Sequence, residues 1–218
     1  MRPLIDFQIC PFSDLPEKAR DAAGQLGFPV DQFVHDLEHY TKGLKKDLWV
    51  LVEYPYVDKL YRDTYYQYFA AKNIDYGRDS IRLSFFRKKI TLDSLRPTSV
   101  QKKTELQEQY LGFLTLRPTP SRCVGRCFLN PHAFDAAPLC VMLTSIQVEV
   151  FGVEFKVQGF PHVTQDTETM TCAESALWCL MEYYGTRFPD YKPAKLSAIH
   201  KVLREIIYER QLPSAGLT

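Results

Sequence analysis

The 218-residue sequence lacks the features that mark secreted, membrane-spanning and disulfide-bonded proteins. Its first residues contain no apolar stretch of signal-peptide length, and no run approaches the ~18 apolar residues that a membrane helix needs. Six cysteines in a chain of this size without a leader are better explained as thiols than as a disulfide framework. The sequence therefore predicts a cytoplasmic protein with no membrane partner.

An excess of charge of one sign is also missing. The 27 Lys and Arg residues nearly balance the 26 Asp and Glu residues, which leaves a formal net charge of +1. A nearly neutral chain gives no electrostatic reason to bind nucleic acid, so we predict no nucleic-acid partner. One basic cluster is typical of a solvated strand end rather than of a phosphate-binding surface, and consists of Arg82, Arg87, Lys88 and Lys89. The sequence shows no internal repeat and no low-complexity tract.

The composition is that of a globular protein that can bury a core. Hydrophobic residues make up 45% of the chain and charged residues 24%. Aromatic residues reach 13%, which core and sheet packing would explain and which an aromatic-lined groove would explain alternatively.

Hydrophobic periodicity predicts an α+β fold with helices interspersed among the strands. We predict helices over 15–26, 30–42, 57–73 and 102–109, and strands over 48–52, 80–86, 110–117, 125–129, 141–150 and 153–157. The last two strands turn at Phe151-Gly152 and form the clearest hairpin of the sequence. Beyond Gly159 the pattern becomes helical. The sequence thus predicts a sheet-rich N-terminal domain, 1–159, of unassigned role, and a second unit, 160–218.

The second unit begins with a helix that carries a cysteine at its start. Thr171 and Glu174 form a T-x-x-E capping box, which makes Cys172 the first helical residue. The helix is predicted to end at Gly185 and to pack through Ala173, Ala176, Leu177 and Leu180. A thiol in the first turn faces unpaired N–H groups and the positive end of the helix dipole, both of which favour the nucleophilic thiolate. The carboxylate of Glu174 opposes part of that effect.

This arrangement of Gln165, Cys172 and an Ala-rich helix containing Trp178 and Cys179 resembles the papain-like cysteine peptidases, and within them the C39-like, bacteriocin-processing type. The resemblance covers about 160–218, the N-terminal half of such a domain. It implies that Cys172 is the nucleophile and that Gln165 and the main-chain N–H of Cys172 form the oxyanion hole. It implies neither a cofactor nor a metal ion. Trp178 and Cys179 would be core residues.

A cysteine peptidase also needs a His as base and an Asn or Asp that orients this His. His200 is the only His after Cys172, and it lies in an amphipathic helix predicted over 196–209. We predict that it is a surface residue beside the apolar stripe of that helix and not the base. The end of the sequence, 211–218, is typical of a loop that leads into another helix. We therefore expect the gene product to continue past Thr218, or a partner chain to complete the site, and expect this chain alone to be inactive.

Two weaker patterns suggest other chemistry. The basic segment between Arg117 and Arg126 can be compared with the phosphate-binding turn of acetyltransferases, but that turn precedes a helix, and an extended segment follows here. Four potential zinc ligands occur at spacings that do not match a zinc knuckle: Cys123, Cys127, His132 and Cys140. We predict no bound metal ion.

Two functions remain open. The first is a cytosolic cysteine peptidase or related acyl-transferring enzyme that acts on a peptide or protein substrate. The alternative is a binding or interaction protein that keeps the papain-like helix as a scaffold and carries an inert cysteine. The reactivity of the Cys172 thiol distinguishes the two, because a catalytic thiol reacts below pH 7 and an inert one titrates near ~8.5.

Overall fold

The computed structural model describes residues 6–28, 30–74, 76–119, 122–135 and 141–206. Within these ranges the protein mixes helices with antiparallel strands, which confirms the predicted α+β class. The helices are α1 (Leu15–Gln25), α2 (Val30–Thr41), α3 (Lys59–Gln67), α4 (Val100–Gln109), α5 (Cys172–Arg187) and α6 (Leu196–Ile206). The strands are β1 (Asp6–Pro11), β2 (Trp49–Tyr56), β3 (Ser80–Phe86), β4 (Tyr110–Leu116), β5 (Val124–Leu129), β6 (Thr144–Val150), β7 (Val153–Gly159) and β8 (His162–Val163).

Six of the strands form one antiparallel sheet in the order β1-β2-β3-β4-β5-β8. Strand β1 has no clear signal in the sequence, because this short segment at the sheet edge contains Asp6 and Pro11 and lacks a clear alternation. Strand β8 has no such signal either, because it consists of two residues, which pair with Arg126 and Cys127 of β5. Residues on both sides of the predicted boundary at 159/160 therefore belong to one sheet.

The two faces of this sheet are covered by different elements because successive side chains of a strand point to opposite faces. Helices α1 and α2 pack on one face, against a cluster that includes Val50, Val52 and Leu83. The β6–β7 hairpin and Leu106 of α4 pack on the other face, against Leu51 and its neighbours. The sheet is thus buried on both sides.

The β6–β7 hairpin confirms the strongest turn prediction. Phe151 and Gly152 both have positive φ angles, 53° and 80°, as the two central residues of a type I′ turn require. The strands pair from Thr144 with Gly159 to Val150 with Val153. Strand β6 begins at Thr144, three residues later than the predicted 141.

In each of the two C-terminal helices, residues other than the predicted ones are buried. Helix α5 continues to Arg187, so Gly185 lies within it. Glycine is required there for a packing reason, because a Cβ atom would lie 2.5 Å from the backbone nitrogen of Pro193. The buried residues of α5 are not the predicted Ala and Leu stripe but Glu174, Ser175, Trp178, Cys179, Glu182 and Tyr183. The end of the helix predicted over 196–209 lies outside the described residues.

In the part of the chain that the structure describes, no helix is both long and apolar enough to span a bilayer.

Candidate active site

The segment 164–171, called the entry loop below, connects β8 to α5 and is held by a buried arginine at the end of β4. The guanidinium of Arg117 donates to the backbone oxygens of Thr164 and Gln165 at 3.2 and 2.8 Å, and to the Thr164 hydroxyl at 3.2 Å. Its Nε and Nη2 also donate to the backbone oxygen of Arg122 at 3.3 Å. Such charge-assisted bonds from a planar group fix the backbone on both sides of Gln165.

The tight turn of the entry loop is organised by Asp166. One carboxylate oxygen accepts hydrogen bonds from the backbone N–H groups of Glu168, Thr169 and Met170 at 2.7–3.0 Å. The other accepts from the Thr169 hydroxyl and lies 4.0 Å from Nη1 of Arg117. Because the side chain of Asp166 is buried, these donors replace the water that a carboxylate needs.

The outer side of the entry loop is fixed to the region after α3. The carboxylate of Glu168 accepts from the Tyr68 hydroxyl at 2.9 Å and lies 2.8 Å from Nζ of Lys72. Lys72 also packs over the Tyr68 ring, 4.5 Å from its centroid. The loop is therefore anchored from two sides before α5 begins.

The predicted cap of α5 is confirmed. Thr171 is the N-cap, and the Glu174 carboxylate accepts hydrogen bonds from its N–H at 2.8 Å and from its hydroxyl at 2.9 Å. Cys172 is consequently the first helical residue, where backbone N–H groups have no acceptor within the helix. Its side chain is exposed to solvent.

The entry loop brings the two residues predicted for the site together. Nε2 of Gln165 donates to Sγ of Cys172 over 3.3 Å, across seven residues of sequence. Among the hydrogen bonds of the described residues, this is the one that involves Sγ of Cys172. The turn around Asp166 makes this approach possible by reversing the chain between the two residues.

A groove of about 460 Å³ begins beside Gln165 and runs along α5. Its lining includes Ser175 and Ala176, which follow Cys172 by three and four residues and thus lie on the same helix face. A second cavity of about 310 Å³ adjoins it, and the two share Tyr40, Phe160 and His162 as a common wall. The second cavity is mostly apolar, and its lining includes Leu114, Val124 and Phe134. Cys172 lines neither cavity; an extended chain in the groove would lie beside Gln165 and the second turn of α5, and could place an apolar group in the adjoining cavity.

Cys172 differs from the other described cysteines in its exposure. Burial raises the pKa of the Cys10 thiol to about 11 and that of Cys127 to about 12, and it also raises the pKa values of Cys123 and Cys179. These four thiols therefore stay protonated at neutral pH and are poor nucleophiles. Cys179 is buried in α5, as predicted for a core residue. Cys140 lies outside the described residues.

The prediction that His200 is a surface residue is wrong. His200 is only 2% exposed, because α6 turns this side of the helix toward the start of α5. Its Nε2 lies 3.3 Å from the carboxylate of Glu174, and its Nδ1 lies 3.3 Å from Oε1 of Gln67. The imidazole thus belongs to the buried support of the capping box. The helical spacing of apolar residues could not reveal this role, because it predicts that a His at the border of the apolar stripe is partly exposed.

The structure also bears on the two weaker patterns. The segment after Arg117 leads into strand β5, so no helix follows it to bind a phosphate. Within the described ranges, no group of three or more His, Cys, Asp and Glu residues could hold a metal ion, and Cys140 is not among them.

Arg117 and Asp166 position the entry loop, and neither was predicted from the sequence to have this role. Their one sequence signal is the placement of a charged residue at the end of an apolar strand and another directly after Gln165.

Comparisons with known proteins give no relative for this chain. No protein-family model, no curated protein and no solved structure matches it.

Proposed function

We propose that this chain carries the nucleophile and the oxyanion donors of a papain-like cysteine peptidase, or of a related enzyme that transfers acyl groups through a thioester. The observation that carries the proposal is the 3.3 Å approach of the Gln165 amide nitrogen to Sγ of Cys172 at the start of α5. The resemblance of this segment to the C39-like peptidases supports the same assignment. The substrate would be a peptide or protein that lies in the groove along α5.

The chemistry assigns one role to each group. The Cys172 thiolate attacks a carbonyl carbon, a C–S bond forms, and the carbonyl oxygen becomes an oxyanion. The Gln165 side-chain N–H and the Cys172 backbone N–H then donate to that oxygen, whose charge they stabilise most in the transition state. Collapse of the intermediate breaks the C–N bond and leaves an acyl-enzyme, and water attack on the thioester releases the acid. A base must remove the thiol proton and later protonate the leaving amine.

The base would come from outside the described residues, either from a further segment or from a partner chain. An exposed apolar strip along and after α5 supports this part of the proposal, since such strips mark contact surfaces. Leu180, Tyr184, Phe188 and Tyr191 are each at least 40% exposed, and the last three contact one another through their rings. We propose that the segment bearing the base covers this strip.

The experiment compares two reagents on a Cys140→Ser background, so that Cys172 is the one thiol expected to react. A peptide aldehyde forms a thiohemiacetal whose oxygen occupies the oxyanion position, whereas iodoacetamide alkylates sulfur without creating an oxyanion. Gln165→Ala should weaken aldehyde binding about tenfold and change the iodoacetamide rate by less than about twofold. Gln158→Ala, which removes an exposed amide on β7, is the matched control and should change neither.

Equal aldehyde affinities for the parent protein and Gln165→Ala would contradict the oxyanion role of Gln165. The alternative function, a binding protein with an inert cysteine, is favoured by one observation: in the described part of the chain, no His side chain hydrogen-bonds Sγ of Cys172. That alternative predicts no aldehyde adduct and an alkylation midpoint near ~8.5, the value of a free thiol.

A further inference from the structure

A cavity that Cys172 does not line lies between the main sheet and the β6–β7 hairpin. It has a volume of about 720 Å³ and is called the hairpin cavity below. Hairpin residues such as Ile146 and Val148 form one wall, and strands β1 to β5 form the other. The lining is largely aromatic and aliphatic, with Phe7, Tyr56, Phe113 and Phe151 among its members. Two arginines of the sheet, Arg82 and Arg126, also line it.

These arginines belong to a row of polar residues that crosses the sheet on one face. Glu53 of β2 pairs in register with Arg82 of β3, and Arg82 pairs with Thr115 of β4. The Thr115 hydroxyl donates to the backbone oxygen of Arg126 on β5 at 3.0 Å. Neighbouring strands lie ~4.8 Å apart, so two strand spacings, about 10 Å, separate the backbones of Arg82 and Arg126. Side chains of arginine length can converge across that distance on one ligand.

Arg82 is held in a fixed orientation. Its Nε and Nη2 donate to the two carboxylate oxygens of Glu53 at 2.7 and 2.8 Å, and its guanidinium lies 4.5 Å from the centroid of the Tyr56 ring. Its side chain is only 7% exposed. The prediction of a solvated basic cluster is wrong for Arg82, whereas Arg87, Lys88 and Lys89 are exposed as expected.

Arg126 is held in a similar way but uses less of its guanidinium. Its Nε donates to Oδ2 of Asp58 at 2.9 Å, and its guanidinium lies 4.9 Å from the centroid of the Phe113 ring. Oδ1 of Asp58 is occupied by the backbone N–H groups that it caps at the start of α3. Among the described residues, neither terminal nitrogen of Arg126 nor Nη1 of Arg82 has a hydrogen-bond acceptor.

The unused donors of the two guanidinium groups are accessible rather than sealed in the core. A guanidinium has five N–H groups, and the terminal nitrogens of Arg126 and Nη1 of Arg82 are not among the buried polar atoms that lack a partner, so a ligand can reach them. Here the donors face a cavity that is large enough for a small molecule and lined by aromatic rings. Glu53 and Asp58 offset the charges of the two arginines, and the exposed Glu149 adds a further negative charge to the lining, so the cavity would hold a singly charged group better than a polyanion.

We propose that the hairpin cavity binds a small organic anion that consists of one carboxylate on an apolar body about the size of a phenyl ring. The carboxylate accepts hydrogen bonds from the free nitrogens of Arg126 and Arg82, and the apolar body packs among Phe7, Phe113 and Phe151. The same chemistry occurs in a free aromatic acid and at the C-terminus of a peptide that ends in an aromatic residue. This site is independent of the chemistry proposed for Cys172.

The test is isothermal titration calorimetry of the chain at low salt and pH 7.5 with matched probes. 3-Phenylpropanoate carries both elements, 3-phenylpropanamide lacks the charge, and inorganic phosphate lacks the apolar body. We expect the carboxylate to bind at least tenfold more tightly than either of the other two. Equal binding of acid and amide, or binding of neither, would overturn the proposal. A tetrapeptide that ends in Phe separates the two sources: it binds as tightly as 3-phenylpropanoate only if peptide C-termini can enter.

Variants locate the binding in the hairpin cavity. Arg126→Gln should weaken 3-phenylpropanoate binding at least tenfold, and Arg87→Gln, an exposed arginine at the end of β3, should leave it unchanged. Because Arg126→Gln also disturbs an ion pair, Ile146→Trp provides a second variant that fills the cavity from the hairpin and leaves both ion pairs in place. Glu149→Gln removes a negative charge from the exposed part of the lining and should tighten binding about twofold. Unchanged affinity in both Arg126→Gln and Ile146→Trp would place the bound anion elsewhere and overturn the assignment.

Discussion

Arg117 is buried and Arg126 is half-buried, both lie near the sheet edge next to β8, and they use their guanidinium groups differently. All three nitrogens of Arg117 lie near acceptors of the polypeptide itself: two backbone carbonyls of the entry loop, the carbonyl of Arg122 and the carboxylate of Asp166. Arg126 has one bond, from Nε to Asp58, and its remaining nitrogens face the hairpin cavity. The number of donors that have an acceptor in the polypeptide, rather than charge, therefore separates an arginine that builds the fold from one available to a ligand.

The largest effect is expected for Arg117→Gln. It leaves Asp166 and two entry-loop carbonyls without their buried donor, so the free energy of unfolding should fall by about 3 kcal/mol or more. Urea denaturation measures this change. The aldehyde affinity of Cys172 should fall together with stability, because Gln165 loses its support. Full stability in Arg117→Gln would contradict the structural role assigned to Arg117.

Arg126→Gln should be less damaging. Asp58 keeps the N–H groups of Leu60 and Tyr61 after the substitution, so its carboxylate is still partly satisfied, and we expect a loss of about 2 kcal/mol in urea denaturation. The aldehyde affinity of Cys172 should stay that of the parent protein, because Arg126 does not touch the entry loop. If Arg126→Gln proved as destabilising as Arg117→Gln, the contrast between the two arginines would fail.

The smallest effect on the free energy of unfolding is expected for His162, which lies on β8. Desolvation by the groove walls lowers the pKa of its imidazole, although the residue as a whole is exposed, so the effect on stability is small. In the unfolded chain a His titrates near ~6.5, so just below that pH the unfolded state binds more protons than the folded state. Stability from neutral His162 is therefore present above about pH 6.5 and lost as pH falls through the lower, folded pKa.

Comparing the parent protein with His162→Gln isolates this contribution, because the other histidines are common to both. Urea midpoints should converge as the pH is lowered from 7.5 to 5 if the neutral imidazole stabilises the fold. A difference between the two proteins that does not vary with pH would show that His162 does not contribute through its titration.

The elements that were predicted correctly are those whose turn residues, cap residues and hydrophobic spacing match the contacts they make in the fold. The β6–β7 hairpin, the Thr171 cap of α5 and the apolar strands β2 and β3 all have their information within a few residues. The proximity of Gln165 and Cys172 came from a family resemblance, and no periodicity would have indicated it. The remaining errors have a common cause in tertiary contacts: His200 is buried against Glu174, and Gly185 makes room for the backbone of Pro193 instead of ending the helix.

The buried face of α5 shows the same limit. An Ala- and Leu-containing stripe was expected to pack, yet the described structure buries Glu174 and Glu182 instead. Glu182 has a partner from a distant segment, Lys59, and Glu174 has His200. Pairs that are more than a hundred residues apart in sequence, or that depend on a later helix, leave no local pattern.

The reach of Arg117 has a consequence for how this protein could be divided or recombined. The proposed nucleophile is encoded after residue 160, but the donor beside it is held by a residue encoded more than forty positions earlier. A polypeptide that began at residue 160 would keep Cys172 and lose the β5 partner of β8 as well as the anchor of the entry loop. Transfer of the thiol-bearing segment to another protein would therefore have to carry the end of β4 with it, and the two predicted units would be inherited together.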